Sequence, residues 1–241
     1  MARSIADQTD AELGGTWSIL VRQKRDHVHL DRLLHQLGET RPSSTERRDV
    51  LHRVARLVFP HAFAEESVVW PAARRVLPDG EALTLQVEQE HQEVNELWTE
   101  LESDGLPLER HQALVDRLVE VLREDVRDEE DALLPRLQDA LSTARLRALG
   151  VAWEAVRRTA PTRPHPLVAR RPPGNALAAL PLTVIDRSRD LLDVGARHGS
   201  AAMAPALHRG STALAGVAGR VEQAGVLRHG DRSSTHRGRD R

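Results

Sequence analysis

Cysteine is absent from the 241 residues, which excludes disulfides, thiolate metal sites, iron–sulfur clusters and cysteine nucleophiles. Histidine and carboxylate remain as the donors for any metal, a set suited to hard and borderline cations. Aromatic side chains are scarce: Trp17, Phe59, Phe63, Trp70, Trp98 and Trp153 are all of them, and the last 88 residues have none. A core needs bulky apolar side chains to offset the entropy of ordering the chain, so the packed domain is expected to end near Trp153. No run of 18 apolar residues occurs and no apolar stretch follows the amino terminus. Neither membrane insertion nor export is signalled, and a cytoplasmic location is the default expectation. Positive charge is not clustered either. Met1 to Thr159 carries 21 basic and 30 acidic residues, and Ala160 onward 13 basic and 6 acidic. An acidic body with a mildly basic tail lacks the concentrated Lys/Arg face that nucleic acid requires.

What is present is helical periodicity. Trp17, Leu20, Val21, Lys24, His27, Leu30, Leu34 and Leu37 recur at three- and four-residue steps, predicting a helix from about Thr16 to Leu37 that Gly38 stops. Ser43 and Glu46 read as a capping box opening a second helix along Val50, Val54, Leu57, His61, Glu65, Val68 and Val69. Pro60 inside that run predicts a kink beside His61. After Pro78-Asp79-Gly80 a third run, Glu81 to Leu101, carries Leu83, Val87, His91, Val94 and Trp98. Asp104-Gly105 ends it, and Pro107 is placed for the first turn of a fourth run carrying Leu114, Leu118, Val121, Leu122, Asp125, Glu129 and Leu133. The fold class expected is all-α, an up-down-up-down four-helix bundle over residues 10–158. The Pro-rich stretch 159–174 is expected to run extended as a linker, and 175–241 to be a weakly helical or disordered extension whose last dozen residues are disordered.

An internal repeat runs through the helical part. His27 and His91, Glu65 and Glu129, and Pro71 and Pro135 are each 64 residues apart. The local texts match: His61-x-x-x-Glu65-Glu66 corresponds to Asp125-x-x-x-Glu129-Glu130. In an H-x-x-x-E pair both side chains lie on one helical face a turn apart, so imidazole and carboxylate reach one metal or adjacent ones. Two such pairs facing each other, each with a histidine from the preceding helix, give the arrangement used by di-iron bundles. The candidate ligands are therefore His27, His61, Glu65, His91, Asp125 and Glu129. Asp26 and Glu90, next to ligand histidines, are candidates to hold imidazole N–H groups, and Glu130 is an alternate ligand. His29, His35, His52 and His111 fall off this register and are assigned to the surface. Trp70 and Trp98 are assigned to core packing.

His27, His61-x-x-x-Glu65-Glu66, Glu90-His91 and Val126-x-x-Glu129-Glu130 followed by Leu133-Leu134-Pro135 together resemble the hemerythrin-type HHE cation-binding domain of bacteria over roughly Trp17 to Leu141. The resemblance implies a non-haem site with two irons, Glu65 and Glu129 as bridging carboxylates, and a coordination position open to dioxygen, peroxide or nitric oxide. It further implies oxygen binding, iron or oxygen sensing, or defence against such oxidants. The chain departs from the family pattern at Asp125, where the second hairpin would carry a histidine. A carboxylate there either ligates iron, making the site harder and more negative, or leaves one metal underliganded. A single-metal site, a metal-free bundle, and an iron or redox sensor acting through the tail stay open beside the reactive di-iron reading. Spacing singles out no catalytic residue and no oligomeric state.

Overall fold

The structure is a computed structural model and describes residues 3–103, 105–171 and 174–224. It is all-helical: no strand occurs among the described residues. After a single 3₁₀ turn, Ile5–Asp7, come α1 (Ile19–Glu39), α2 (Thr45–Ala64), a π turn (Glu65–Val69) and α3 (Trp70–Val76). The plan then repeats with α4 (Gly80–Leu101), α5 (Leu108–Asp128), a second π turn (Glu129–Leu133) and α6 (Leu134–Ala140). Helices α7 (Thr143–Arg158), α8 (Gly174–His198) and α9 (Ala204–Glu222) complete the chain.

Several local readings are corrected. Gly38 does not stop the first helix, which continues to Glu39 before Thr40 turns extended. The second helix is capped by Ser44 rather than Ser43: the Arg47 N–H donates to Ser44 Oγ at 3.0 Å, while Ser43 sits in the turn at φ 61°. Ser43 therefore offers no cap, because a cap residue must have extended backbone to aim its oxygen at the first turn. Ser44→Ala is expected to cost about 1 kcal/mol of stability, and Ser43→Ala a few tenths at most, as read by chemical denaturation. Pro60 lies within α2, and the irregularity falls one turn later, at the π turn opening on Glu65. Trp17 is 61 % exposed, under the guanidinium of Arg22, and belongs to no core.

Two apolar clusters divide the helical body. One gathers Leu20, Trp70, Val87, Leu133, Leu146 and Trp153, the other Leu34, Val54, Phe59, Trp98, Val115 and Leu118. The chain passes from the first cluster to the second along α1 and α4, and back along α2 and α5. His27, His61, His91 and Asp125 fall between the clusters in each helix, so the polar groups form one layer with packed apolar side chains on both sides. Helix α7 closes the first cluster against α1 and α2. It approaches so closely that a Cβ at Gly150 would lie 2.1 Å from the Trp17 carbonyl oxygen, so only glycine fits there.

The stretch expected to run extended as a linker is packed against the helices. Ala160, Thr162, Arg163, His165, Val168, Ala169 and Arg171 are all buried. Asp186 of α8 accepts from the N–H groups of Thr162 (3.0 Å) and Arg163 (3.1 Å), and Glu88 of α4 receives the guanidinium of Arg171 (2.7 Å). Within this stretch the Val168 N–H donates to the His165 carbonyl oxygen (3.2 Å), and Asp186 satisfies N–H groups that the extended chain leaves without a backbone partner. Residues 175–222, expected to be partly helical or disordered, form the mutually packed pair α8 and α9. The last dozen residues lie outside the described residues. No helix among the described residues is long and apolar enough to cross a membrane.

Candidate metal centre

All six candidate ligands are buried and come together. Glu65 and Glu129, the first residues of the two π turns, are at most 1 % exposed. The Nε2 of His27 stands 3.2 Å from Glu129 Oε2, and that of His61 3.1 Å from Glu65 Oε1. The Nε2 of His91 lies 3.4 Å from Asp125 Oδ1, 3.7 Å from Glu65 Oε2 and 3.9 Å from Glu129 Oε1. Two groups have ligand atoms close enough to share a cation: His27, His61 and Glu129, and Glu65, His91 and Glu129. Glu129 belongs to both.

The other ring nitrogens are held from behind. Nδ1–H of His27 donates to Glu130 Oε1 (2.9 Å), that of His61 to Asp26 Oδ2 (3.2 Å), and that of His91 to Glu66 Oε1 (2.9 Å). An ionised carboxylate only accepts, so each bond fixes the proton on Nδ1 and aims the Nε2 lone pair at the centre. Asp26 thus lies against the imidazole of His61, and Glu130 against that of His27. Sequence reasoning missed Glu66; its repeat partner is Glu130, 64 residues on, which was the available signal.

Glu90 departs from expectation. It lies 64 residues after Asp26, yet the histidine it would hold is replaced by Asp125. Its Oε2 is buried without a hydrogen-bond partner. Burial and the neighbouring Asp128 carboxyl push its pKa up to about 7, against the opposing pull of His91.

Five further oxygens are stranded: both of Glu65, both of Glu129, and Oδ1 of Asp125 are buried with no hydrogen-bond partner. Buried carboxylate oxygens are costly unless something positive completes them. Three aimed imidazole nitrogens and these oxygens, with no sulfur, are a donor set that fits iron or another borderline cation.

In the metal-free protein the imidazoles carry the compensating charge. Burial opposes protonation of His27, but the Glu129 carboxylate 3.2 Å from its Nε2 and the hydrogen bond to Glu130 prevail and raise its pKa to about 9. For His91 burial is likewise outweighed, by Asp125 and Glu66, and its pKa rises to about 10. His61 rises well above its ordinary value against burial, through Glu65 and Asp26. Burial also lifts Asp125 well above the usual carboxylate range, with Glu129 and Glu65 adding to it and His91 opposing.

These folded values exceed the unfolded ones, so the native state binds more protons and stability falls as pH rises. The histidine contribution is complete below about pH 6.5, the unfolded value, and is lost as pH rises through about 9 and 10. Loading a cation at neutral pH must displace these protons from Nε2. Calorimetric titration in buffers of different ionisation heat is expected to show proton release on loading and an affinity that climbs with pH. The metal-free midpoint of thermal unfolding is expected to drop between pH 7 and 10.

Comparison with known proteins agrees with the geometry. The family profile described as Hemerythrin HHE cation binding domain matches residues 18–137. An uncharacterized hemerythrin-like protein of Schizosaccharomyces pombe is 28 % identical over 134 residues, covering 55 % of this chain and 66 % of that relative's length. No solved structure matches the chain.

Proposed function

Because the chain belongs, through residues 18–137, to the hemerythrin HHE cation-binding family, we propose that it is a non-haem di-iron protein that binds or reacts with dioxygen, peroxide or nitric oxide. In this reading α1, α2–α3, α4 and α5–α6 form an up-down-up-down four-helix bundle, and the irons are held by His27, His61, Glu65, His91, Asp125 and Glu129. The supporting observation is the pair of three-ligand groups sharing Glu129, with each imidazole aimed by a carboxylate behind it. Bound iron would supply the redox chemistry toward the oxidant.

The protein's own part is orientation and exclusion. Asp26, Glu66 and Glu130 keep the three Nδ1 protons in place. Leu30, Leu57, Val58, Phe59, Val94 and Leu122 line a cavity of about 20 Å³ beside the histidines and Asp125. A space of that size holds about one water-sized molecule, which favours a diatomic ligand over a larger substrate. The apolar wall keeps bulk water from the site and strengthens the electrostatics within it.

Elemental analysis of protein purified with ample iron tests the reading. Two irons per chain and an oxo-bridge charge-transfer band are expected, and less than one iron per chain overturns the di-iron form. Asp125→His is expected to tighten the second metal by roughly 10- to 100-fold, the range seen for supporting groups around a metal, because Glu90 occupies in the repeat the place from which Asp26 holds His61. Metal titration of the variant checks it, and unchanged affinity would mean Asp125 already serves as a full ligand.

A second reading, a sensor signalling through the tail, has one observation in its favour. Asn95 donates to the His91 carbonyl oxygen (2.8 Å) and accepts from the His165 N–H (3.0 Å), which joins the packed strap of residues 160–171 to α4, the helix that carries His91. Removal of residues 160–241 separates the two: reactivity toward the oxidant survives in the first reading, whereas in the second the iron-dependent response is lost.

A further inference from the structure

A surface groove of about 420 Å³ runs between α1 and α5 on the side of His27 and Glu130. Leu30, Leu122, Val126 and His27 line both this groove and the small cavity beside the centre. The outside of the protein and the candidate metal site are therefore separated there by one layer of side chains.

The groove carries an unusual charge for this chain. Residues up to Thr159 are acidic on balance, yet Arg32, Arg123 and Arg127 line the groove, exposed and with no hydrogen-bond or ion-pair partner among the described residues. Lys24, also lining it, is pinned by the carbonyl oxygens of Ala6 and Gln8 at 2.6 Å each. The acids there are Asp31 and Glu130, and Glu130 is engaged by His27. Cations along a second concavity near the centre, beside Asp26, are by contrast paired: Arg25 with Asp10, and Arg22 and Arg157 with Glu154. Unpaired guanidiniums at a concave mouth focus field and raise the local concentration of anions.

We propose that the α1–α5 groove is the portal through which small inorganic anions are gathered and passed to the metal centre, a role that rests on the di-iron reading above. Arg32, Arg123 and Arg127 draw the anion in, and the Leu30–Leu122–Val126 layer limits passage to ligands of a few atoms. Neutral diatomics cross the same layer without assistance from the arginines.

The absence of cysteine makes the test clean, because a single introduced thiol has no background. In the full-length chain, Val126→Cys is treated with methanethiosulfonate reagents that differ only in carrying a sulfonate or a trimethylammonium group. The anionic reagent is expected to react about tenfold faster, and the preference to collapse at high salt and in the Arg32→Ala/Arg123→Ala/Arg127→Ala background. Val28→Cys, at an exposed position lining the same groove, gives the same measurement should the inner variant fold poorly. Equal rates, or a preference that survives removal of the arginines, overturns the proposal. In iron-loaded protein the association rate of azide is expected to fall severalfold in the triple variant while that of nitric oxide is unchanged; an unchanged azide rate also overturns it. Metal content is measured separately. A chain that takes up no iron defeats the di-iron reading, and the labelling rates still decide whether the groove gathers anions.

Discussion

Glu129→Gln is expected to abolish metal loading at both groups together, with affinity falling more than about 100-fold. The substitution keeps the shape but removes the negative charge and turns one of two acceptor oxygens into a donor. Glu129 is the residue common to both ligand groups, with one oxygen 3.2 Å from His27 Nε2 and the other 3.9 Å from His91 Nε2. Supporting groups around a metal cost 10- to 100-fold when removed, so a shared ligand costs more. Glu65→Gln leaves His27, His61 and Glu129 intact and is expected to retain one metal. Elemental analysis and calorimetric titration of the two variants side by side give the answer. Full loading of the Glu129 variant would mean the two groups do not share a carboxylate.

Glu88→Ala is expected to destabilise the protein by about 3–5 kcal/mol, the range for breaking a buried charge cluster by removing one side. Glu88 is fully buried and takes the guanidinium of Arg171 through three contacts of 3.0, 3.0 and 2.7 Å, together with that of Arg74. Removing the carboxylate leaves Arg74 and Arg171 crowded together, with Glu81 as the nearest acid. The buried strap of residues 160–171 should loosen first, seen as faster amide hydrogen exchange at Thr162, Arg163 and Val168. Replacing Arg171 by methionine in the same background should recover part of the loss, because one stranded charge is then gone. A loss under 1 kcal/mol would show that the strap is held by its apolar contacts and by Asp186.

The clustering of the candidate histidines, and the helices that carry them, could be read from the sequence because periodicity and the 64-residue repeat are local or nearly local signals. Helix α4 begins within one residue of its expected start, and His27, His61, Glu65, His91, Asp125 and Glu129 share one buried layer. The π turns were not legible. A π turn places one more residue in a helical turn, and because both hairpins carry it at the same register the repeat spacing hides it. Its effect is to widen the helix where Glu65 and Glu66, adjacent in sequence, must both face inward. The strap was misread for a different reason. Its composition does favour extended chain, but Asp186, Asp190 and Glu88, which satisfy its backbone and arginines, lie at the far end of the sequence or in another helix. Long-range acceptors leave no trace in local composition. The Ser43 cap failed on a one-residue distinction that only backbone angle decides.

The two π turns also make the centre two-fold in plan and one-sided in detail. They open at Glu65 and Glu129 and close at Val69 and Leu133, the same 64-residue step that separates the histidines. The two hairpins therefore present a carboxylate at the same point of the same widened turn, and differ one turn earlier, where one carries His61 backed by Asp26 and the other carries Asp125. The two halves of the centre are thus matched in shape but not in charge.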